Sequence, residues 1–317
     1  MNSQQRAELA ALCPSVRWGA NMAAFSTFRA GGEVEALVEI GDSQTLAALL
    51  DWLHRQRIPW QVIGGGSNIL VTRGRHEGVF IRLRGTTRDI TVEPVPCENQ
   101  TAHAVQSAHE VRVRVNAGCS LAAVIGWCAK NSLGGLEFMA GIPGSIGGAV
   151  RMNAGAFGHS ISEVVDSVQC ATSQGETVEV DGKEIRFAYR SSRLPGEPAA
   201  KMLIAAVALR LRPADRFQVT GQCRAIISQR KQKQPSGVGS AGSFFKNPAG
   251  DYAGRLIELA GLKGLAQGKA MVSPKHANFI VNTGGAVPED ILALMEQVRQ
   301  KVLQQSGVLL EPEVHIF

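Results

Sequence analysis

Val62-Ile63-Gly64-Gly65-Gly66-Ser67-Asn68 and Gly141-Ile142-Pro143-Gly144-Ser145-Ile146-Gly147-Gly148-Ala149 are the two densest glycine segments of the chain, and their reading decides the fold. With no Cβ in the way, successive backbone N–H groups can form a concave nest for a pyrophosphate, to which Ser67, Asn68 and Ser145 can add side-chain donors. Neither segment is a Walker loop, because no Gly-Lys-Ser/Thr occurs. Neither is a Rossmann fingerprint: Gly64-x-Gly66 is followed by Ile69 where the third glycine would stand, and no helix is expected to open there. One such cluster would be an ordinary turn. Two, together with Asn153-Ala154-Gly155-Ala156-Phe157-Gly158, point to a flavin dinucleotide bound between strand-rich subdomains.

Outward from these loops the pattern is mixed α+β. Upstream, Asp42 to Gln56 places Leu46, Leu49, Leu50 and Leu53 at helical spacing, and a strand follows at Trp60 to Ile63. Beyond the first glycine run, Ile69 to Thr72 reads as another strand. A second unit, from about residue 80 to 211, offers strands at Val111 to Val115, Val164 to Cys170 and Ile204 to Leu211, with one helix over Ser120 to Asn131. A third begins near Pro213, with helices over Gln218 to Lys231 and over Glu289 to Gln305 behind Pro288 as a first-turn proline. Its strands are expected at Ala277 to Asn282 and Val308 to Ile316. The polar stretch Pro94 to Glu110 reads as a long hairpin loop or insertion without assignable chemistry.

Composition narrows the class. At 317 residues the chain can hold two or three domains, and 44% apolar with 19% charged residues is ordinary for a globular protein. No leader pattern stands in Met1 to Pro14, and no apolar run reaches the roughly 18 residues of a membrane helix, so a cytoplasmic protein that does not engage the membrane is expected. The six cysteines are scattered, with no CxxC and no HExxH, so no metal is expected and reduced, buried thiols are. A net charge of +6 suits a nucleic-acid binder, but equally an enzyme of phosphorylated ligands; 5% aromatics without a basic-aromatic strand argue against the former.

A wider set of motifs carries a resemblance. Thr27-Phe28-Arg29-Ala30-Gly31-Gly32, the glycine runs, Asn153 to Gly158, Tyr189-Arg190-Ser191-Ser192, Gly242-Ser243-Phe244-Phe245-Lys246-Asn247-Pro248, Ser273-Pro274-Lys275-His276-Ala277-Asn278-Phe279 and Leu310-Glu311-Pro312-Glu313-Val314 stand in this order. Together they resemble the UDP-N-acetylenolpyruvoylglucosamine reductase family, from about Asn21 to the C-terminus. The resemblance implies a two-subdomain FAD-binding module of the vanillyl-alcohol-oxidase type plus a separate α+β substrate-binding domain. The expected division is 1–80 and 81–212 for the FAD subdomains, 213–311 for the substrate domain, and 312–317 as a C-terminal strand returning to the active site. Little room between Arg190 and the strand at Ile204 for a substrate-capping segment matches the short-loop branch of the family.

The implied chemistry is reduction of an enolpyruvyl ether to a lactyl ether, with non-covalent FAD and with NADPH, on a small-molecule UDP-sugar, in a monomer. Cofactor contacts are expected from Ile63, Gly64, Gly65, Gly66, Ser67, Asn68, Gly141, Pro143, Gly144, Ser145, Gly148, Asn153 and Gly155. Arg190 is the candidate for the developing negative charge, since a guanidinium can fork a carboxylate. Ser243 is the candidate proton donor to the enolate carbon, and Glu313 would share in stabilising that charge, with Glu311 as its rival. Arg230, Lys246, Asn247, Lys275, His276 and Asn278 are expected at the UDP-sugar. Read without the resemblance, Arg190 would be a surface charge, Ser243 a turn serine and Arg230 the end of a basic helix. The rival enzyme is a flavin-dependent sugar or alcohol oxidase of the same cofactor fold.

Overall fold

The computed structural model describes residues 1–94, 110–198 and 201–317. The stretch expected as an insertion, Pro94 to Glu110, therefore lies almost wholly outside the described residues. Seven α-helices are present among the latter: α1 (Ser3–Leu12), α2 (Ser43–Arg55), α3 (Leu121–Lys130), α4 (Ile146–Arg151), α5 (Arg216–Lys233), α6 (Ala253–Leu259) and α7 (Pro288–Ser306). None is long and apolar enough to cross a membrane.

Local chemistry explains where they begin and end. The Asp42 carboxylate accepts from the Thr45 N–H at 2.7 Å to cap α2, whose leucines 46, 49, 50 and 53 are all buried. Ser120 caps α3 in the same way through the Ala123 N–H. Pro288 opens α7 at a position where its missing N–H costs nothing, and Gly307, at φ 72°, ends it.

The chain forms two compact units that interleave along the sequence. One comprises Met1–Val16, Val38–Gly64 and Phe80–Ser228; the other comprises Arg17–Leu37, Gly65–Val79 and Gln229–Phe317. In the first, an antiparallel sheet runs in the order Thr177–Asp181, Val165–Thr172, Met202–Pro213, Val111–Asn116, Ile90–Glu93. Val113, Val115, Val168, Cys170, Val207 and Leu209 bury one face with Leu121, Val124 and Cys128 of α3. The side chains of Arg112, Asp166 and Arg210 form ion pairs at 2.9 and 3.0 Å among themselves. This in-out alternation is the pattern of a sheet packed on one side.

In the second unit, strands Gly239–Ser240, Ile280–Asn282, Ala270–Val272 and Ala266–Gln267 form an antiparallel sheet in that order. Phe244, Phe245, Ile257 of α6, and Ile291, Leu294, Val298 and Val302 of α7 make its core, joined by Phe28 and Leu70. Arg17–Asn21 also pairs antiparallel with Glu33–Ile40, from Asn21 opposite Glu33 to Arg17 opposite Leu37.

Three strand expectations were too long. Ile69 to Thr72 reduces to Ile69–Leu70, Ala277 to Asn282 to Ile280–Asn282, and Val308 to Ile316 to His315–Ile316. In the last, Pro312 has no N–H to donate, and the chain there makes only an isolated bridge to Phe245. The five described cysteines, Cys13, Cys119, Cys128, Cys170 and Cys223, are free and buried. Burial pushes the Cys128 and Cys170 thiols up to about 12, so they are inert thiols rather than nucleophiles.

Candidate active site

In the first unit the two glycine clusters meet. A Cβ added to Gly64 would stand 2.7 Å from Ser145 Oγ and 3.7 Å from the Gly148 Cα. Ser145 is the cap of α4, its Oγ accepting from the Gly148 N–H at 3.3 Å. The segment leading into α4 is fastened by backbone: Leu121 N–H donates to Gly144 O, Ile146 N–H to Cys119 O, and Gly147 N–H to Ala117 O. Gly141 and Gly144 take φ of 80° and 129°, which side chains resist. Ile63 is buried at the end of its strand and delivers Gly64 to this place. Gly147 has a different reason to be glycine, since its Cβ would strike that of Ala117 at 2.7 Å.

In the second unit the rest of the first cluster is pinned separately. Gly66, at φ 71°, would bring a Cβ to 1.8 Å from Phe25 O, and its carbonyl accepts from the Thr27 N–H at 2.9 Å. Asn68 is tied to the C-terminal segment: its Nδ2 donates to Glu313 O at 3.0 Å, and the His315 N–H donates to Asn68 O at 3.0 Å. Gly65 and Ser67 lie between these anchors, half-buried or, for Gly66, buried.

The returning C-terminal segment also meets the Ser243 motif. Glu313 N–H donates to Phe244 O at 2.8 Å and Lys246 N–H to Glu311 O at 2.9 Å, so Glu313 lies opposite the residue after Ser243. The Glu311 side chain is 69% exposed and ion-paired with Lys246 Nζ, whereas Glu313 is half-buried. Asn278, buried, holds the same segment: its Nδ2 donates to Phe245 O at 2.8 Å and its Oδ1 accepts from Phe245 N–H at 2.9 Å. His276 Nδ1 accepts from the Asn278 N–H at 3.2 Å, and the ring meets Phe279 edge-on at 4.8 Å. Asn247 Oδ1 accepts from Ala253 N–H at the start of α6, and Lys275 Nζ donates to Lys231 O at 2.5 Å, next to half-buried Arg230.

Back in the first unit, Arg190 sits at the tip of a hairpin formed by Arg186–Ala188 and Ser191–Arg193. Its backbone is left-handed at φ 56°, as are Asn153 at 40° and Phe157 at 56°. Such non-glycine conformations cost on the order of 1–3 kcal/mol each and gather where geometry matters. Asn153 Nδ2 donates to Ala188 O at 3.0 Å, Arg190 Nη1 donates to Gly155 O at 3.4 Å, and the guanidinium lies 5.0 Å from the Tyr189 ring centroid. The loop and the hairpin are thus one piece of structure.

Two curated relatives named UDP-N-acetylenolpyruvoylglucosamine reductase match nearly the full chain. The one from Alkalilimnicola ehrlichii is 42% identical over 93% of this chain and 92% of its own. The one from Symbiobacterium thermophilum, reductase 2 of that name, is 41% identical over 92% and 89%. This chain belongs to the UDP-N-acetylenolpyruvoylglucosamine reductase family. The family's C-terminal domain model matches residues 234–317, and an FAD binding domain model matches 34–181. Among solved structures, the UDP-N-acetylenolpyruvylglucosamine reductase of Thermus caldophilus aligns with TM-score 0.75 and 30% identity, covering 94% of this chain and 97% of that one.

The protein is accordingly an FAD-binding oxidoreductase of α+β fold, as its motifs implied. The Gly64–Ser145–Gly148 contact fits a flavin's pyrophosphate, because side chains are absent where backbone N–H groups must approach an anion. Sequence reasoning gave no role to Thr27-Phe28-Arg29-Ala30-Gly31-Gly32. Its function in the fold is to anchor: Thr27 Oγ1 donates to Ser240 O at 2.7 Å, and Asn282 Nδ2 donates to Phe28 O and Arg29 O at 3.1 Å. The left-handed φ of Arg29, 54°, is no property that a one-dimensional motif displays.

Proposed function

We propose that this protein reduces the enolpyruvyl ether of a UDP-N-acetylenolpyruvoylglucosamine to the lactyl ether of UDP-N-acetylmuramate, with NADPH as reductant, in peptidoglycan precursor synthesis. The single observation that carries the reading is the fastening of the segment after Ser243, at Phe244 and Phe245, by Glu313 and Asn278, in a chain whose other unit brings Gly64 to Ser145. FAD, when bound, would supply the hydride chemistry that links NADPH to the terminal carbon of the enolpyruvyl group. Ile63, Gly64, Gly65, Gly66, Ser67, Asn68, Gly141, Pro143, Gly144, Ser145, Gly148, Asn153 and Gly155 would hold the FAD.

Arg190 takes the substrate carboxylate, onto which negative charge spreads as hydride arrives. A guanidinium never loses its proton, so its stabilisation does not fade with pH. Ser243 donates its hydroxyl proton to the enolate carbon; a neutral donor suffices because the enolate of a carboxylate is strongly basic. Glu313 shares in stabilising the charge, and the pairing of Glu311 with Lys246 is what favours Glu313 over its neighbour. Arg230, Lys246, Asn247, Lys275 and His276 serve the UDP-sugar, Asn278 acting through Phe245. Only 11 residues separate Arg190 from the strand at Met202, and those described begin with the second hairpin strand, Ser191–Arg193, in keeping with the short-loop branch. The same reading includes the vanillyl-alcohol-oxidase kinship of the FAD module, the domain division at 80, 212 and 311, a cytoplasmic location and a monomer.

The test separates the half-reactions. Ser243→Ala should leave flavin bleaching by NADPH nearly unchanged while anaerobic reoxidation by the enolpyruvyl substrate falls by roughly a hundredfold or more, the usual weight of a general acid. Equal loss in both halves refutes the role of Ser243. Wild-type reduced protein that reacts rapidly with oxygen but ignores the enolpyruvyl substrate refutes the reductase reading and favours an oxidase.

A further inference from the structure

We propose that Arg151 and Glu197 are a positioning pair that sets Arg190 relative to the helix capped by Ser145, an inference that rests on Arg190 meeting the substrate carboxylate. Arg151 is the last residue of α4, the helix whose first turn contains Gly147 and Gly148. Its guanidinium forks the Glu197 carboxylate, Nη1 to Oε2 at 2.7 Å and Nη2 to Oε1 at 2.6 Å. This is the two-bond geometry that fixes direction as well as distance. The Glu197 side chain is only 9% exposed, and its Oε2 also accepts from the Leu194 N–H at 3.0 Å.

The second strand of the Arg190 hairpin is bound to the same helix end. Ser192 Oγ donates to Arg151 O at 3.1 Å, and Arg151 Nη1 donates to Ser192 O at 3.4 Å. The first strand is held by Asn153 at Ala188 O. Both legs of the hairpin are therefore clamped, and the residue between them keeps a left-handed backbone that a free loop would abandon. A guanidinium that must fork a carboxylate tolerates little displacement, since an error of about 1 Å can cost roughly a hundredfold in rate. One helix thus presents the flavin-side amides at its start and the anchor of the substrate-side arginine at its end.

The experiment uses full-length holoenzyme carrying Glu197→Gln, with Arg151→Lys as the second variant in case the first does not fold. Glu197→Gln keeps the shape but removes the charge-assisted fork, and Arg151→Lys keeps the charge but removes the fork. The expected result is retained flavin, NADPH reduction within about twofold of wild type, and substrate-driven reoxidation slowed about tenfold or more. Independently of turnover, mass spectrometry should show tryptic cleavage after Arg190 accelerated severalfold while cuts elsewhere are unchanged. Reoxidation at the wild-type rate in a folded variant overturns the proposal, as does an equal fall in both half-reactions without faster cleavage after Arg190. Failure of wild-type protein to reoxidise with the enolpyruvyl substrate would instead sink the functional reading beneath it.

Discussion

Gly64→Ala tests whether the two glycine clusters act as one anion cradle. Gly64 has a φ outside the left-handed region, so alanine brings no backbone strain, and the effect is steric alone. The new methyl would sit 2.7 Å from Ser145 Oγ, closer than real side chains approach, and the hydroxyl would have to withdraw. Ser145 would then release the Gly148 N–H it accepts at 3.3 Å. Loss of such a cap costs about 1 kcal/mol of apo stability. If the same displacement removes one hydrogen bond to a charged phosphate oxygen, about 1.5–3 kcal/mol of binding goes with it. That is a rise of roughly ten- to a hundredfold in the FAD dissociation constant. Flavin fluorescence on titrating apoprotein measures the affinity, and urea denaturation measures the apo stability. Ser145→Ala supplies the control, because it removes the atom with which the methyl collides. The double variant should therefore bind FAD about as well as Ser145→Ala alone. Additive losses from the two substitutions, or unchanged affinity in Gly64→Ala, would refute the argument.

Asn278→Ala strips both partners from the buried Phe245 backbone and should cost about 2–6 kcal/mol in urea denaturation, at about 1–3 kcal/mol for each orphaned group; a loss under 1 kcal/mol would show that water replaces the amide. Gly32→Ala sets a methyl 2.0 Å from the Thr72 carbonyl oxygen, a backbone atom without freedom to turn away, and should destabilise by about 1–3 kcal/mol; a wild-type midpoint would contradict that packing. Burial, helped by the charge of Lys263, pushes the His276 ring below its ordinary value. The unfolded chain then binds more protons than the folded one, so stability is complete above about pH 6.5, the unfolded value, and declines as pH falls toward the depressed folded value. His276→Asn, whose side-chain oxygen can accept from the Asn278 N–H, should flatten that decline between about pH 7 and 5.5 in urea midpoints; an unchanged slope would remove His276 as its source.

Much of the fold was legible because its signals are local. The leucine spacing of α2, the apolar face of the helix from Ser120 and the first-turn Pro288 announce themselves within a few residues, and these three helices formed where expected to within about two residues. α4 was not legible. Ile146-Gly147-Gly148-Ala149-Val150-Arg151 has two glycines in six residues, and its helix exists because backbone partners at Ala117 and Cys119 hold its entry. The interleaving of the two units was hidden for a related reason. It depends on pairings such as Thr27 with Ser240 and His315 with Asn68, between residues far apart in the chain, which no periodicity encodes. The expected strand from Val308 failed where alternation of polar and apolar residues was read past Pro312, a residue that cannot complete a ladder.

The motif residues divide into those that could do chemistry and those that hold the former still, and the sequence alone does not separate them. Ser273-Pro274-Lys275-His276-Ala277-Asn278 offers four polar side chains that look like ligand groups. Ser273 Oγ instead accepts from the Lys275 and His276 N–H groups, His276 accepts from Asn278, and Asn278 grips Phe245 at both edges. The chain of contacts ends two residues after Ser243, beside Phe244, whose carbonyl accepts from the Glu313 N–H. Ser243 itself follows Gly242, at φ 79°. A hydroxyl asked to reach one carbon must be placed to within about 0.5 Å, and a serine has only a single rotatable bond with which to correct an error. On the role proposed for Ser243, precision therefore has to come from the backbone on either side, and the polar density of the motif lies with the neighbours that set its position.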